Sequence, residues 1–379
     1  MTDARPARGI RAGAIGHTGH GDYGHRLHLA YLGLPGVEMV AIADPDEAGR
    51  ARAMAEAGAQ RGYADYREML AREKLDVVSV CPRQSFEHAA MIAAAAEAGC
   101  QIYVDKPLAP DLNECDRIIE ACDRCGVRLA VAHQARYVEP FLTARRMVER
   151  GEIGRLVSLR GRGKEDHRGG GEDLLELGVH VMDLMRWFAG DPAWVFGAVT
   201  CEGRDVRRAD AFESSGRIGL VAGDSVTAMY GFAGGVVGHF ESARGDGAGR
   251  RWGLSLVGTE GTLLLRFANA PREPERTTLR LSRSSAAPED RGDFVAVEAP
   301  VEPTVPGATP PPDAHMWFNG NRLAVWDLLR AAAENRDPIS SGRDSRRAME
   351  MVLGVYASHL EGRRVALPLG PRGHPLARG

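Results

Sequence analysis

The sequence predicts an α/β chain in two parts: an amino-terminal doubly wound parallel sheet, then a carboxyl-terminal α+β region around a mostly antiparallel sheet. Three observations carry this reading. Short, continuous apolar runs alternate with helical stretches as far as residue 132, the pattern of strands buried on both faces by helices. Beyond that point strands with hairpin signals take over, clearest at 226–232, the turn Ala233-Gly234-Gly235 and 236–242. The chain is also 379 residues long, more than one hydrophobic core usually serves.

The first strand is read at 11–16, followed by a glycine-rich turn and a helix over 26–34 that Pro35-Gly36 closes. Strands at 37–43, 77–81, 101–104 and 128–132 come next, with helices at 47–57, 87–98 and 113–125 between them. A boundary after residue 132 leaves 133–379 as the second domain. Its front carries a helix at 139–150, a strand at 156–161 and a helix over 172–189 entered through Gly169-Gly170-Gly171. The proline-rich stretch 300–312 lacks ladder donors and is expected as an extended loop. Helices at 322–334 and 345–360 end the chain and are free to pack back on the first domain.

A formal charge of −3 supplies neither a basic field for nucleic acid nor a polybasic segment for a membrane surface. No run approaches the roughly 18 apolar residues of a membrane span, and the opening residues have no apolar signal core, so a cytoplasmic protein with a small-molecule partner is expected. The six cysteines form no framework. Cys122 and Cys125 have redox or zinc spacing but no second ligand pair.

Gly19-x-Gly21-x-x-Gly24 has the spacing with which a strand-to-helix turn cradles a dinucleotide pyrophosphate, because glycines let backbone N–H groups approach the phosphates. Asp44 ends the next strand 20 residues beyond Gly24, where a carboxylate binds the adenosine ribose; it would repel a 2′-phosphate, favouring NAD over NADP. The strand itself ends at Gly16, so Gly16, His17 and Thr18 also belong to the expected cofactor loop, together with Tyr23. Four histidines, His17, His20, His25 and His28, crowd this loop. With nothing acidic or thiolate at ligand spacing, no metal is expected there.

Almost every basic residue is arginine; lysine stands only at Lys74, Lys106 and Lys164. Arginine cannot lose its proton in a protein and lysine can, which makes a retained lysine a candidate acid or base. Asp105-Lys106-Pro107 follows the strand 101–104 and so lies at the carboxyl edge of the parallel sheet, where ligands of such folds bind. In the second domain Glu176, His180 and Asp183 stand at i, i+4 and i+7, one polar stripe on a single predicted helix. A neutral histidine oriented by a carboxylate suits proton removal from a hydroxyl. His180 is thus the candidate base, with Glu176 assisting, Lys106 polarising the oxygen and Asp183 binding a hydroxyl.

These residues together resemble the glucose-fructose oxidoreductase/inositol dehydrogenase/MocA family. The resemblance spans nearly the whole chain. It rests on the glycine turn with Ala43-Asp44, on Asp105-Lys106-Pro107 where the family usually has Glu-Lys-Pro, and on Gly178-Val179-His180-Val181-Met182-Asp183. Lesser matches are Gln134-Ala135-Arg136-Tyr137, Gly258-Thr259-Glu260-Gly261-Thr262 and the run 364–369. The resemblance implies a Rossmann domain followed by an α/β domain with a large open sheet, commonly a dimer or tetramer contact. It implies an NAD-dependent dehydrogenase or reductase acting on a CH–OH group of a sugar, cyclitol or sugar derivative, with Lys106 and His180 flanking the nicotinamide. Glu176 would stand where the family has Asp. Cys81, Pro82, His88, Asp105 and Gln134 complete the expected cofactor lining; Arg136, Tyr137, Lys164, Asp166, His167 and Arg168 are expected around the substrate. Asp105, Glu176 and a longer glycine loop depart from the family pattern and suggest a subgroup. Two other outcomes fit the resemblance: NAD-assisted glycoside hydrolysis or elimination through transient oxidation, and a non-catalytic NAD-linked sugar sensor.

Overall fold

The computed structural model describes residues 9–245, 252–267, 278–283, 293–298, 304–310, 316–370 and 372–377. The chain divides into two compact units. The first takes in residues 1–134 with 216–218 and 303–346; the second takes in 135–215, 219–302 and 347–379.

Six parallel strands form the first unit's sheet: β1 (Ile10–Ile15), β2 (Val37–Ala43), β3 (Arg61–Tyr63), β4 (Val77–Val80), β5 (Gln101–Val104) and β6 (Leu129–Val131). Their order is β3-β2-β1-β4-β5-β6, the doubly wound arrangement whose crevice opens at the carboxyl ends of the strands. Val40, Ala41, Ile42, Val77, Val78, Ile102 and Val104 are fully buried, which explains why these strands read as unbroken apolar runs. The helices α1 (Glu47–Ala57), α2 (Tyr66–Glu73), α3 (His88–Glu97) and α4 (Leu112–Cys125) connect them. Asp46, Asp65 and Asp111 cap α1, α2 and α4 by accepting from the amides of Gly49, Arg67 and Glu114. Strand β3 and helix α2 escaped the sequence reading, because Arg61-Gly62-Tyr63 is too short and too polar to register as a strand.

One expected helix is replaced. Where the sequence predicts a helix over 26–34, the chain makes a short 3-10 turn, Gly24–Leu29, with His25 and Arg26 at φ of 47° and 55°. Leu27, Leu29, Tyr31 and Leu34 supply helical periodicity, but tertiary partners hold the backbone out of the helical ladder. Asn321 Nδ2 donates to the His25 carbonyl at 2.9 Å, and the His25 ring lies against Asp105. Asn321 belongs to the helix Met316–Ala333, whose position Tyr103 also fixes, its hydroxyl donating to Asn321 Oδ1 at 2.7 Å. The edge of β6 is covered by Ser340, which exchanges backbone and side-chain hydrogen bonds with Val131. Residues 304–310 of the expected proline-rich loop form no helix or strand, and the rest of 300–312 lies outside the described residues.

The second unit opens with α5 (Glu139–Glu149), β7 (Leu156–Arg162), α6 (Gly171–Glu176) and α7 (Gly178–Ala189). Strands β8 (Trp194–Cys201), β9 (Arg204–Asp205), β10 (Phe212–Glu213), β11 (Leu220–Val221), β12 (Ser225–Gly231), β13 (Val237–Ala243), β14 (Gly253–Gly258), β15 (Thr262–Arg266), β16 (Thr278–Ser282) and β17 (Val295–Ala296) follow. After α8, the helix Met316–Ala333 already described, come α9 (Gly342–Glu361) and β18 (Val365–Ala366). Ten strands make one sheet in the order β17-β16-β15-β14-β7-β13-β12-β8-β18, with β9 beside β8. Every pairing in it is antiparallel except β13 with β7. The foreseen hairpin is β12–β13, its turn built on Gly234 and Gly235 at positive φ.

Gly169-Gly170-Gly171 has a packing cause. A Cβ on these residues would lie 2.2 Å from the Ala243 carbonyl oxygen, 2.4 Å from the Asp224 carbonyl carbon and 2.1 Å from the Ala222 carbonyl oxygen. Only glycine lets this chain segment run so close to its neighbours. The single helix expected over 172–189 is two, broken at Leu177 with φ −117°. Glu176 therefore ends α6 while His180 and Asp183 lie on α7, and the stripe of three polar residues on one helix face does not exist as read.

Candidate active site

The coenzyme half of the site is built at the carboxyl edge of the first unit's sheet. His17 and Asp22 bridge each other and close a tight loop after β1, with Gly19 and Gly21 at φ of 87° and 93°. A Cβ on Gly21 would meet the Arg83 amide nitrogen at 2.5 Å, and one on Gly24 would meet Asp105 Oδ2 at 1.8 Å. Gly16 is covered by the Tyr23 ring, 2.2 Å from an added Cβ. Each matched glycine is thus explained by left-handed backbone or by close packing, Gly21 and Gly24 against the segments that follow β4 and β5.

Asp44 ends β2 and is fully buried. Its carboxylate accepts from the Thr18 hydroxyl at 2.8 Å, the Thr18 amide at 3.2 Å and the Asp46 amide at 3.0 Å. The Tyr23 phenol is raised in pKa by burial and by the neighbouring Asp44 charge. Asp105 follows β5 and is also fully buried; its Oδ1 accepts from the Lys106 amide at 2.8 Å and lies 2.6 Å from His25 Nδ1. Burial alone would raise this carboxyl, yet His25 and Lys106 more than offset it and hold Asp105 below the usual range. Lys106 itself is 5% exposed.

Three side chains expected to line the cofactor carry a buried polar atom without a hydrogen-bond partner: Tyr23 Oη, Asp105 Oδ2 and Gln134 Nε2. Such an atom costs about 1–3 kcal/mol when left bare, so three along one sheet edge are available to a polar ligand. In kind, these residues fit a dinucleotide.

Two of the expected cofactor residues are engaged within the fold itself. His88 is wholly buried, its Nε2 2.7 Å from the Pro82 carbonyl and its Nδ1 3.0 Å from the Leu108 carbonyl, so it ties the loop after β4 to the Lys106 loop. Cys81 is likewise buried, its thiol pushed well above the ordinary range by that burial. Sequence reasoning also missed Glu87. It lies against both His17 and His20, although 70 and 67 residues separate them, and overturns the premise that the histidine cluster has no acidic companion. Only the sheet topology brings β1 and β4 side by side, so no local signal reveals that meeting.

The second unit holds the other expected residues. Arg136 and Asp183 are 4% and 1% exposed and paired in a fork, Nε to Oδ2 at 2.8 Å and Nη2 to Oδ1 at 2.7 Å. Both were expected at the substrate; the structure engages them with each other. Arg168 joins Asp166 at 2.7 Å to Glu176 at 2.7 Å. Burial would raise Asp166, but the Arg168 hydrogen bonds and charge bring it down to about 2. Lys164 Nζ is 3.9 Å from Asp166, His167 is 82% exposed, Tyr137 is buried, and His180 is half-buried in the first turn of α7. Asp173, unforeseen, is fully buried beside them; burial raises its carboxyl although Ser242 Oγ donates to it at 2.6 Å.

The fold and this carboxyl-edge constellation define an NAD-binding oxidoreductase of the dehydrogenase class. The chain belongs to the Gfo/Idh/MocA family: residues 10–133 match its oxidoreductase model with the NAD-binding Rossmann fold, and residues 141–264 match the family's C-terminal domain. D-apiose dehydrogenase of Paraburkholderia graminis is 27% identical over 358 residues, 90% of this chain and 86% of that one. The NAD(+)-dependent scyllo-inositol 2-dehydrogenase of Bacillus subtilis is 28% identical over 242 residues, 61% of this chain and 67% of its own. Among solved structures, a levoglucosan dehydrogenase in complex with NADH and levoglucosan superposes with a TM-score of 0.74 at 23% identity, covering 96% of this chain and 100% of that one.

Proposed function

We propose that this chain is an NAD-preferring dehydrogenase that moves a hydride between a ring carbon of a neutral sugar, cyclitol or sugar derivative and nicotinamide, with Lys106 and His180 handling the hydroxyl proton. Bound NAD supplies the hydride acceptor. Asp44 would hold the adenosine ribose, and Tyr23, Asp105 and Gln134 would complete their unused hydrogen bonds on the cofactor. The observation that carries the reading is the buried Lys106 at the carboxyl end of β5, beside a carboxylate kept ionised by His25. A lysine so placed hydrogen-bonds a substrate hydroxyl and relays its proton.

A neutral substrate is favoured by charge accounting. The guanidiniums of Arg136 and Arg168 already face Asp183, Asp166 and Glu176, so they offer little to an acidic sugar. A screen of sugars, cyclitols and uronic acids, followed by NADH absorbance, tests this: neutral polyols are expected to turn over. Activity confined to uronic acids overturns the charge argument, and turnover of a glycoside without NADH accumulation replaces the dehydrogenase reading with transient oxidation.

The chain is also proposed to form a homodimer or homotetramer through its open sheet. Phe196 and Met229, paired in register on β8 and β12, are 43% and 37% exposed. Light scattering at micromolar concentration checks this, and a monomer there refutes it. Among the described residues no helix is long and apolar enough to cross a membrane; a cytoplasmic location stands as a proposal.

A further inference from the structure

The geometry points to a divalent-metal site of the zinc class made by His17, His20 and Glu87, which latches the glycine loop in the arrangement that occupies Asp44. The loop turns back at Gly19 so that the His20 amide donates to the His17 carbonyl at 2.9 Å, and the two imidazoles stack with centroids 4.0 Å apart at 19°. Glu87 closes the 3-10 turn after β4 and faces both rings: Oε2 is 2.7 Å from His17 Nδ1 and Oε1 is 3.2 Å from His20 Nδ1. One ligand atom from each residue lies within 4.8 Å of the others. The side chains are 24%, 44% and 18% exposed, held in place yet reachable by an ion from solvent.

Two nitrogens and a carboxylate are the donors of three-ligand zinc sites, which leave a fourth position for water. Ligand atoms around a tetrahedral zinc at bond lengths of 2.0–2.1 Å lie about 3.3 Å apart. The His20 edge to Oε1, at 3.2 Å, is already near that length, and the His17 edge to Oε2, at 2.7 Å, opens by about 0.6 Å. Coordination requires the stacked rings to turn apart so that both lone pairs meet the ion. Without an ion, the same contacts are two imidazole N–H groups shared by one carboxylate, and only the ion-bound form predicts the binding below.

The consequence follows from the loop's other end. Thr18, between His17 and Gly19, gives its amide and hydroxyl to Asp44. An ion joining His17 and His20 to Glu87 stabilises that arrangement, while an adenosine ribose needs the same carboxylate. Metal and NAD are therefore antagonists. This second step rests on the proposed role of Asp44; the metal site does not.

The test titrates the chelator-stripped chain, without NAD, with Zn2+ against a chromophoric chelator, alongside His20→Ala and Glu87→Gln. Wild type is expected to bind one equivalent and to melt at a higher temperature with Zn2+ present. Each variant should melt like the stripped wild type and bind at least about 10-fold more weakly, since even outer-shell changes cost that much at metal sites. Failure of wild type to bind, or unchanged affinity in both variants, overturns the site. For the antagonism, calorimetric NAD titrations should give a weaker affinity with Zn2+ than with chelator in wild type and no difference in Glu87→Gln. Zinc binding that leaves NAD affinity unchanged overturns the latch, and Asp44→Ala, titrated separately, tells whether the ribose assignment failed instead.

Discussion

The carboxyl edge of the first unit and the ion-paired residues of the second treat their polar groups in opposite ways. At the carboxyl edge of the first, Tyr23, Asp105 and Gln134 each keep a buried atom without a partner. In the second, Arg136 pairs with Asp183 and Arg168 with Asp166 and Glu176, while Asp173 beside them leaves Oδ1 without a partner as the first unit's three residues do. Unsatisfied buried groups cost stability and persist where a ligand completes them; a paired charge needs no ligand. The contrast separates residues that await a partner from residues that hold a scaffold, a distinction the residue types alone do not make.

The largest effect should come from the lysine at the sheet edge. Lys106→Ala is expected to lower turnover by about 10²- to 10⁴-fold, the usual worth of a positioned acid or base. NAD affinity should change little, because Asp44, Tyr23 and Gln134 remain. Steady-state rates with any substrate from the polyol screen, beside calorimetric NAD binding, measure both. A variant that loses NAD binding together with turnover would make Lys106 a cofactor anchor and erase the proposed division of labour. His180→Ala, on the other unit, should likewise lose turnover and leave NAD affinity untouched.

Next in size is the buried fork in the second unit. Arg136→Met takes the fork away from the buried Asp183 carboxylate and is expected to cost about 3–5 kcal/mol in chemical denaturation, whereas the double change Arg136→Met/Asp183→Leu recovers most of it. If the pair is scaffold, KM for substrate in the double variant stays near wild type. A KM raised tenfold or more in a fully stable double variant would return these two residues to the substrate, as the sequence first suggested.

How much of this was legible depended on where the decisive partners lie. Strands 37–43 and 101–104 and the helix Glu47–Ala57 were readable because their signals are local: unbroken apolar runs, and an Asp46 cap with Gly58 at the far end. Lys106 stood out by rarity and by following a strand. The helix over 26–34 was misread because apolar spacing says nothing of Asn321, which takes the His25 carbonyl from 296 residues away. The Arg136–Asp183 pairing and the Glu87 carboxylate were invisible for the same reason. Each depends on which strands and helices the topology sets side by side.

A smaller change should follow at Asp44. Asp44→Ala removes the carboxylate that repels a 2′-phosphate, so the preference for NAD over NADP should shrink by about tenfold, mostly through weaker NAD binding. The variant also frees Thr18. Comparing affinities for both dinucleotides checks the sign, and an unchanged ratio would place nucleotide discrimination elsewhere in the loop.

The smallest expected effect is a pH dependence housed in the same loop. His28 is 3% exposed, and burial lowers its pKa although Glu56, at 3.0 Å, pulls the other way. In the unfolded chain this imidazole takes up a proton near pH 6.5, while in the folded protein it stays neutral to lower pH. Below about 6.5 the unfolded state therefore binds more protons, and stability falls as the pH falls; above it both states are neutral and this group contributes no slope. His28→Phe preserves a ring against Tyr23, whose centroid is 4.6 Å away, and removes the proton site. Denaturation midpoints from pH 7.5 to 5.5 should slope less steeply in the variant than in wild type. Equal slopes would mean that His28 charges as easily folded as unfolded, and that the loop beneath the coenzyme half is more open to water than its burial implies.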